Sequence, residues 1–330
     1  MKRFPKLAGM ALLSLGLVAL AGCGKPQNYA ADGDIAPAAR VKIGVSVPAA
    51  THGWTAGIGW WAQRAMALYP NIEWVYSTAD GPDRQVSDIE DMMTQGIDAL
   101  VILATESAPL TDVAERASQR GIYIVNVDRG FTKPVANIFL EGDNQAFGRM
   151  SAEFMVEKLG GKGKIVILRG MSCTVDTLRY EAAMEVFNAA GIEVLGTLPG
   201  MWNRSKALEC MQAFLAQHKQ IDAVWASDDD MAVGCEQAIR EAGREKEMWI
   251  FGGAGMKEII KKVMDGDPMY PANVTYSPSM IATGIHLAVA SMRDGKSKQV
   301  SEFMPKHLIL DCELVTPENA KNYYFPDAIY

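Results

Sequence analysis

Val41-Lys42-Ile43-Gly44-Val45-Ser46-Val47 is a short β-rich apolar run, and Thr55 to Leu68, which follows it, carries aromatic and alanine positions that predict a helix. The same alternation continues: strand Ile72 to Tyr76, helix Gln85 to Gln95, strand Ala99-Leu100-Val101-Ile102-Leu103, helix Leu110 to Arg120, strand Tyr123-Ile124-Val125-Asn126. Near-continuous apolar strands separated by helices predict a parallel sheet covered on both faces. Right-handed crossovers wind such a sheet into a doubly wound layer.

The cadence restarts after Asp143. Helix Gln145 to Leu159 leads to strand Lys164 to Leu168, and helix Thr177 to Ala190 to strand Ile192 to Thr197. Helix Ser205 to Gln217, strand Ala223 to Ala226, helix Ala232 to Ala242, strand Trp249 to Phe251 and helix Lys257 to Met264 complete it. Two series of this size predict two similar α/β lobes, each a doubly wound parallel sheet. Helix Pro278 to Met292 is left over and belongs to one lobe or the other.

Upstream of the first strand the chain has another character. Lys2, Arg3 and Lys6 precede an apolar stretch from Leu7 to Ala21, closed by small residues before Cys23. A charged start, a short apolar run and a small-residue cleavage site predict a secretory signal over residues 1–22; the run is too short to span a bilayer. Leu20-Ala21-Gly22-Cys23 resembles the bacterial lipobox, which implies lipidation of Cys23 and anchoring to a membrane face. Residues 23–39, rich in Gly, Pro, Ala, Asn and Asp, read as a flexible tether.

Removing residues 1–22 takes away three basic residues and no acidic one, moving the formal net charge from −7 to −10. An acidic chain without a basic block excludes nucleic acid as the expected partner. Cys173, Cys210, Cys235 and Cys312 contain no Cys-x-x-Cys pair, and His52, His218, His286 and His307 are scattered, so no metal and no cofactor are expected. An exported chain permits a disulfide, and Cys210–Cys235, on neighbouring helices, is the expected pair. Catalytic motifs are missing: there is no Gly-x-Ser-x-Gly, His-Glu-x-x-His or Gly-Lys-Ser/Thr, and Gly252-Gly253-Ala254-Gly255 is followed by Glu258, which breaks the dinucleotide spacing. The chain reads as a binding protein and not an enzyme.

In open parallel sheets, ligands sit beyond the carboxyl ends of the strands. That rule selects loops rich in carboxylates, amides and tryptophan, from which the candidate ligand-binding residues are His52, Trp54, Thr55, Asp80, Glu106, Asp128, Arg129, Asp176, Trp202, Asn203, Asp228 and Tyr276. Tryptophan rings suit the C–H faces of a sugar, and carboxylates and guanidinium forks suit its hydroxyls. Trp60, Trp61, Trp74 and Trp225 are expected to pack. Of Asp228-Asp229-Asp230, one is expected to cap the following helix and another to accept ligand hydroxyls.

Val45-Ser46 with Trp54, Val127-Asp128-Arg129, Gly142-Asp143-Asn144, Met201-Trp202-Asn203-Arg204 and Ala226-Ser227-Asp228-Asp229-Asp230-Met231-Ala232 together resemble the ribose-type periplasmic binding proteins, solute receptors of sugar ABC importers. The resemblance covers the whole mature chain. It implies the type I periplasmic binding fold, with a three-crossing hinge near Gly142–Asp143, Tyr276–Ser277 and Lys306–Leu308. The lobes would be 40–142 plus 277–306 and 143–276 plus 307–330. It implies a small sugar or polyol as ligand, permease transmembrane subunits as partner, and a monomer. His52 and Trp54 match the family's first-loop amide and aromatic, Asp128 and Arg129 its hydroxyl-binding pair, Trp202 its second aromatic, and Asp228 its acid or amide. Ala254 stands where the family carries a hydroxyl-binding Asp, and Tyr276 where it carries a glutamine. The family's arginine in the second lobe falls near Thr177, with Asp176 and Arg179 beside it. These departures point away from ribose itself. Repressors share the fold but begin with a DNA-binding helix pair, where this chain has a signal. A sensor subunit reporting to a histidine kinase or chemoreceptor is the alternative.

Overall fold

The computed structural model describes residues 41–292 and 303–330. The signal, tether and Cys23 lie outside the described residues. The first half follows the expected alternation: β1 (Lys42–Pro48), α1 (Gly53–Ala67), β2 (Glu73–Ala79), α2 (Pro82–Thr94), β3 (Ala99–Ile102), α3 (Ser107–Gln119), β4 (Tyr123–Val127) and β5 (Ile138–Gly142). The second comprises α4 (Asn144–Lys158), β6 (Lys164–Arg169), α5 (Thr174–Ala190), β7 (Glu193–Pro199), α6 (Arg204–Gln217), β8 (Ala223–Trp225), α7 (Asp229–Glu241), β9 (Trp249–Phe251) and α8 (Lys257–Met264). The chain then adds β10 (Asn273–Val274), α9 (Met280–Met292), β11 (His307–Leu310), β12 (Leu314–Val315) and a 3-10 turn, η1 (Ala320–Asn322).

Two parallel sheets result, ordered β11-β5-β4-β3-β1-β2 and β7-β6-β8-β9. Each has its first strand flanked by its second on one side and its third on the other. The chain therefore reverses its winding direction at β1/β3 and again at β6/β8, and that reversal is where a doubly wound sheet opens a crevice. β3, β4 and the centre of β6 are fully buried, as strands covered on both faces must be. α1 and α9 cover one face of the first sheet, α2 and α3 the other. Gly284 lets α9 sit close on β4, since a Cβ there would stand 2.6 Å from Val127 Cγ2. The leftover helix thus belongs to the first sheet.

Three details depart from expectation. His307–Leu310, assigned by sequence to the C-terminal lobe, instead pairs in parallel with Phe139–Gly142 at the edge of the first sheet. His307 stacks on Phe139 at 5.1 Å and bonds Glu141 at 2.9 Å, which fixes that register. The third passage between the sheets therefore lies after Leu310. Second, β5 and the short β10, β11 and β12 were not anticipated; β10 and β12 form a small antiparallel ladder beside the second and third passages. Third, Cys173, Cys210, Cys235 and Cys312 are all free thiols, so the Cys210–Cys235 bridge is not formed. Cys235 is fully enclosed in the apolar core, while Cys210 Sγ turns to the Pro199 carbonyl at 3.6 Å.

Candidate functional site

Between the strand ends of the two sheets lies a cavity walled by His52 and Trp54 at the start of α1, Asp128 and Arg129 after β4, Val175 and Arg179 from α5, Trp202, Asp228, Ala254 and Tyr276. Seven of the expected residues therefore meet here: His52, Trp54, Asp128, Arg129, Trp202, Asp228 and Tyr276.

The backbone at this site is unusual. Among the described residues, the non-glycine positions with left-handed φ are Asp128 (67°), Met201 (59°), Trp202 (51°), Ser227 (54°) and Ala254 (91°). Each follows the carboxyl end of β4, β7, β8 or β9. Residues held in this region cost of order 1–3 kcal/mol each and persist only where the surroundings enforce them. The enforcement is visible at Trp202, whose indole lies flat on Gly170: a Cβ at Gly170 would fall 2.1 Å from Trp202 Cε2.

The polar groups form one connected set. Tyr276 Oη donates to Asp128 Oδ1 at 2.6 Å, and Trp54 Nε1 donates to the Tyr276 carbonyl at 2.9 Å. Arg129 donates through Nη1 to the carbonyls of Ala104 (3.1 Å) and Thr105 (2.7 Å), and its Nε stands 3.8 Å from Asp128 Oδ2. Arg179 bonds Asn144 Oδ1 and the Ser227 carbonyl, with its guanidinium 4.2 Å from the Tyr276 ring centre and 3.9 Å from that of Phe147. His52 Nδ1 and Arg129 Nε are buried without a hydrogen-bond partner. Such groups ordinarily find one, so both are poised to bond a polar guest.

Burial sets the protonation. It pushes the Asp128 carboxyl above the usual range against the pull of Arg129, the Tyr276 hydroxyl and Arg179. Asp228 is also raised, by burial first and then by Asp230. His52 is lowered to about 4, by burial first, with Asp230 opposing and Arg129 adding, so its ring is neutral near neutral pH. Asp128 and Asp228 thus line the cavity together with Arg129 and Arg179, a set of donors and acceptors suited to an uncharged, hydroxyl-rich ligand.

The remaining candidates are elsewhere. Thr55 exchanges hydrogen bonds with the His52 backbone at the start of α1. Asp176 holds the Gly170 amide (2.7 Å) and Arg169 (2.9 Å), and Asn203 caps α6 through the Lys206 amide. Asp80 is exposed after β2, at the sheet's outer edge, and Glu106 is exposed at the start of α3. None of these five lines the cavity. The three aspartates divide their work differently from expectation. Asp228 both caps α7, through the Met231 amide at 2.9 Å, and lines the cavity. Asp229 accepts from the Gly253 and Met256 amides and from Asn273, each at 2.7 Å. Asp230 accepts from Gly53 N–H on α1 (2.9 Å) and from Arg204 (2.8 Å), so it ties α7 to the first sheet's helix.

Val175, Arg179 and Ala254 are not among the candidate residues, although the resemblance points to the neighbourhood of Arg179 and to the position of Ala254. Val175 and Arg179 stand four apart on α5 and so share a helix face, which is the signal that would have added both.

Comparison with known proteins agrees with this architecture. Residues 43–297 match the family model described as a periplasmic binding protein domain. The chain is 26% identical to the ribose import binding protein of Bacillus subtilis (strain 168), over 92% of this chain and 98% of that one. It is 30% identical to the D-allose-binding periplasmic protein of Escherichia coli (strain K12), over 76% of this chain and 84% of that one. An ABC transporter solute binding protein from Bacillus halodurans C-125, solved with bound myo-inositol, superposes with a TM-score of 0.79 at 22% identity, over 89% of this chain and 99% of that one. The fructose binding periplasmic domain of a hybrid two component system superposes with a TM-score of 0.76 at 27% identity, over 86% and 93%. With a family match across most of the chain and two like-wound sheets around a shared cavity, this chain belongs to the periplasmic binding proteins, non-enzymatic solute receptors of the type I fold.

Proposed function

We propose that the chain is the receptor of an ABC importer, taking one small sugar or polyol into the cavity and delivering it by hinge closure to the permease. The observation that carries this reading is the lining: two tryptophans with Asp128, Arg129, Arg179 and Asp228 around one cavity. Indoles cover the C–H faces of a ring, and charged forks bond its hydroxyls more strongly than neutral groups do. Ala254 supplies a methyl group at its place in that wall, and Tyr276 spends its hydroxyl on Asp128. Both features disfavour ribose and favour another pentose, a hexose, a deoxy sugar, an inositol or an acyclic polyol. In this reading the lobes are residues 40–142 with 277–310 and residues 143–276 with 311–330. The mature protein is a monomer held at a membrane face by acyl chains on Cys23.

A thermal-shift screen of residues 24–330 against pentoses, hexoses, deoxy sugars, polyols and inositols tests the ligand class. A ligand that binds only the folded state raises the melting temperature with concentration. A flat response across the panel from a folded protein rejects it. The sensor reading draws support from the fructose binding domain of the hybrid two component system, a neighbour above a quarter identity. Deleting the gene separates the two: lost uptake supports an importer, whereas intact uptake with a lost transcriptional response supports a sensor.

A further inference from the structure

Asp230, in the first turn of α7, stands outside the cavity lining and is nevertheless almost fully buried. Each of its carboxylate oxygens has its own donor. Oδ1 accepts from Nε of Arg204, the first residue of α6, at 2.8 Å, and α6 packs against α7. Oδ2 accepts from the amide of Gly53, the first residue of α1, at 2.9 Å and across 177 positions of sequence. In the lobe division proposed above, the first bond lies within one lobe and the second joins the two.

The start of α1 is built to receive this carboxylate. The Gly53 amide is one of those that a helix leaves without an internal acceptor, and the first turn of α1 has no acidic residue of its own. A carboxylate placed there also meets the positive end of the helix dipole. Glycine provides the room, since a Cβ at Gly53 would stand 3.0 Å from Asp230 Oδ2 and equally 3.0 Å from Tyr330 Cδ2. The junction is one residue removed from the cavity. His52, which precedes Gly53, lines both the cavity and a polar recess shared with Arg204 and Asp230, and its unpartnered Nδ1 is 3.8 Å from Asp230 Oδ2. Arg204, half exposed, holds the carboxylate from the solvent side.

We infer that Asp230 is the latch of the closed form: Arg204 keeps its carboxylate aimed across the cleft, and closure completes the bond to the start of α1, so that the ligand is retained by a residue that does not touch it. The inference rests on the receptor reading above. Asp230→Asn tests it, because an amide oxygen accepts from Arg204 or from Gly53 but not from both. The probes are D-allose, D-ribose and myo-inositol, with binding and release followed by stopped-flow tryptophan fluorescence. A bond to a charged group that only the closed form makes should, when lost, speed release by about tenfold or more. Association, which begins from the open form, should stay within about twofold of wild type. The other end of the bond gives a second test. Proline is tolerated at the first position of a helix, and the extended backbone of His52 (φ −152°, ψ 172°) suits the residue before it. Gly53→Pro removes the donor, whereas Gly53→Ala adds a Cβ and keeps the amide, so the proline variant should release about tenfold faster than the alanine variant. Release from a folded Asp230→Asn at the wild-type rate overturns the latch, as does slower association with unchanged release. Should Asp230→Asn not fold, equal release from the two Gly53 variants overturns it. If wild type binds none of the probes, the sugar reading fails, and small-angle X-ray scattering of the ligand-free protein decides about the latch. A larger radius of gyration in Asp230→Asn than in wild type supports it, and an equal one overturns it.

Discussion

Tyr276→Phe removes one oxygen atom from the middle of the polar set. The lost bond, 2.6 Å from Tyr276 Oη to Asp128 Oδ1, joins two buried residues 148 positions apart, one after β4 and one at the second passage between the sheets. A hydrogen bond to a buried carboxylate contributes about 1.5–3 kcal/mol. Asp128 keeps Arg129 at 3.8 Å, so part of the loss is offset, and about 2 kcal/mol is expected. For a domain of this size that corresponds to a fall of roughly 4–8 °C in melting temperature. The pH dependence identifies the cause. Burial already holds the Asp128 carboxyl above its ordinary value, and without the hydroxyl it rises further. An acid raised in the folded state stabilises the fold below its unfolded pKa and loses that contribution as pH climbs through the folded one. The deficit of the variant is therefore full near neutral pH and shrinks on acidification, once Asp128 is protonated in both proteins. Trp54 bonds the Tyr276 carbonyl and packs on its ring, both of which phenylalanine keeps, so tryptophan fluorescence should match wild type. Thermal unfolding followed by circular dichroism at descending pH from neutrality tests this. An unchanged melting temperature near neutrality, or a deficit that grows on acidification, refutes the reasoning.

Replacing either Trp54 or Trp202 by Ala should weaken binding of whichever sugar the screen finds by about 1–3 kcal/mol while the protein still unfolds cooperatively; unchanged affinity in both removes the stacking role. Gly170→Ala drives a methyl group into the Trp202 ring at 2.1 Å, so about 1–3 kcal/mol of stability should be lost and calorimetric affinity should fall with it. Asp229, raised by burial to about 7, contributes stability that is present below its usual value and lost as pH rises to about 7. His52, lowered to about 4, works oppositely, adding stability as pH rises from about 4 to 6.5. Asp229→Asn should therefore steepen the rise of melting temperature with pH in that window, and a profile parallel to wild type would show that Asp229 does not titrate there. Cys23→Ser should release the protein from the membrane fraction into the soluble one on immunoblotting; retention in the membrane would exclude acylation as the anchor.

Elements whose burial is complete were the easiest to read from sequence. Ala99–Ile102 and Ile165–Leu168 are apolar at every position because helices cover both faces, and both strands were anticipated. β5 was not: Ile-Phe-Leu-Glu-Gly is buried only at alternate positions and ends in the passage between sheets. β11 is four residues at an edge, alternately exposed, and nothing local distinguishes it from a loop. Helices begin earlier than the apolar periodicity suggests: α5 at Thr174 rather than Thr177, α7 at Asp229 rather than Ala232. Their first turns are made of capping and polar residues. At the site, the loop rule found the residues that sit on strand ends and overreached at Asp80, since only the sheet order reveals that β2 lies at the edge. Tyr276 and Asp128 are both among the candidates, but the bond between them is not foreseen, because a contact across 148 residues leaves no local pattern.

The left-handed residues that ring the cavity set two selective demands against each other. Asp128, Met201, Trp202, Ser227 and Ala254 would each sit more comfortably as glycine, the residue that enters this region without steric cost. Yet three of the five, Asp128, Trp202 and Ala254, are part of the cavity wall. Selection for heat resistance alone, without a ligand in the medium, would thus erode the receptor at its mouth first. Selection for uptake would hold these positions in place and leave the compensating gains to the buried strands and helix faces behind them.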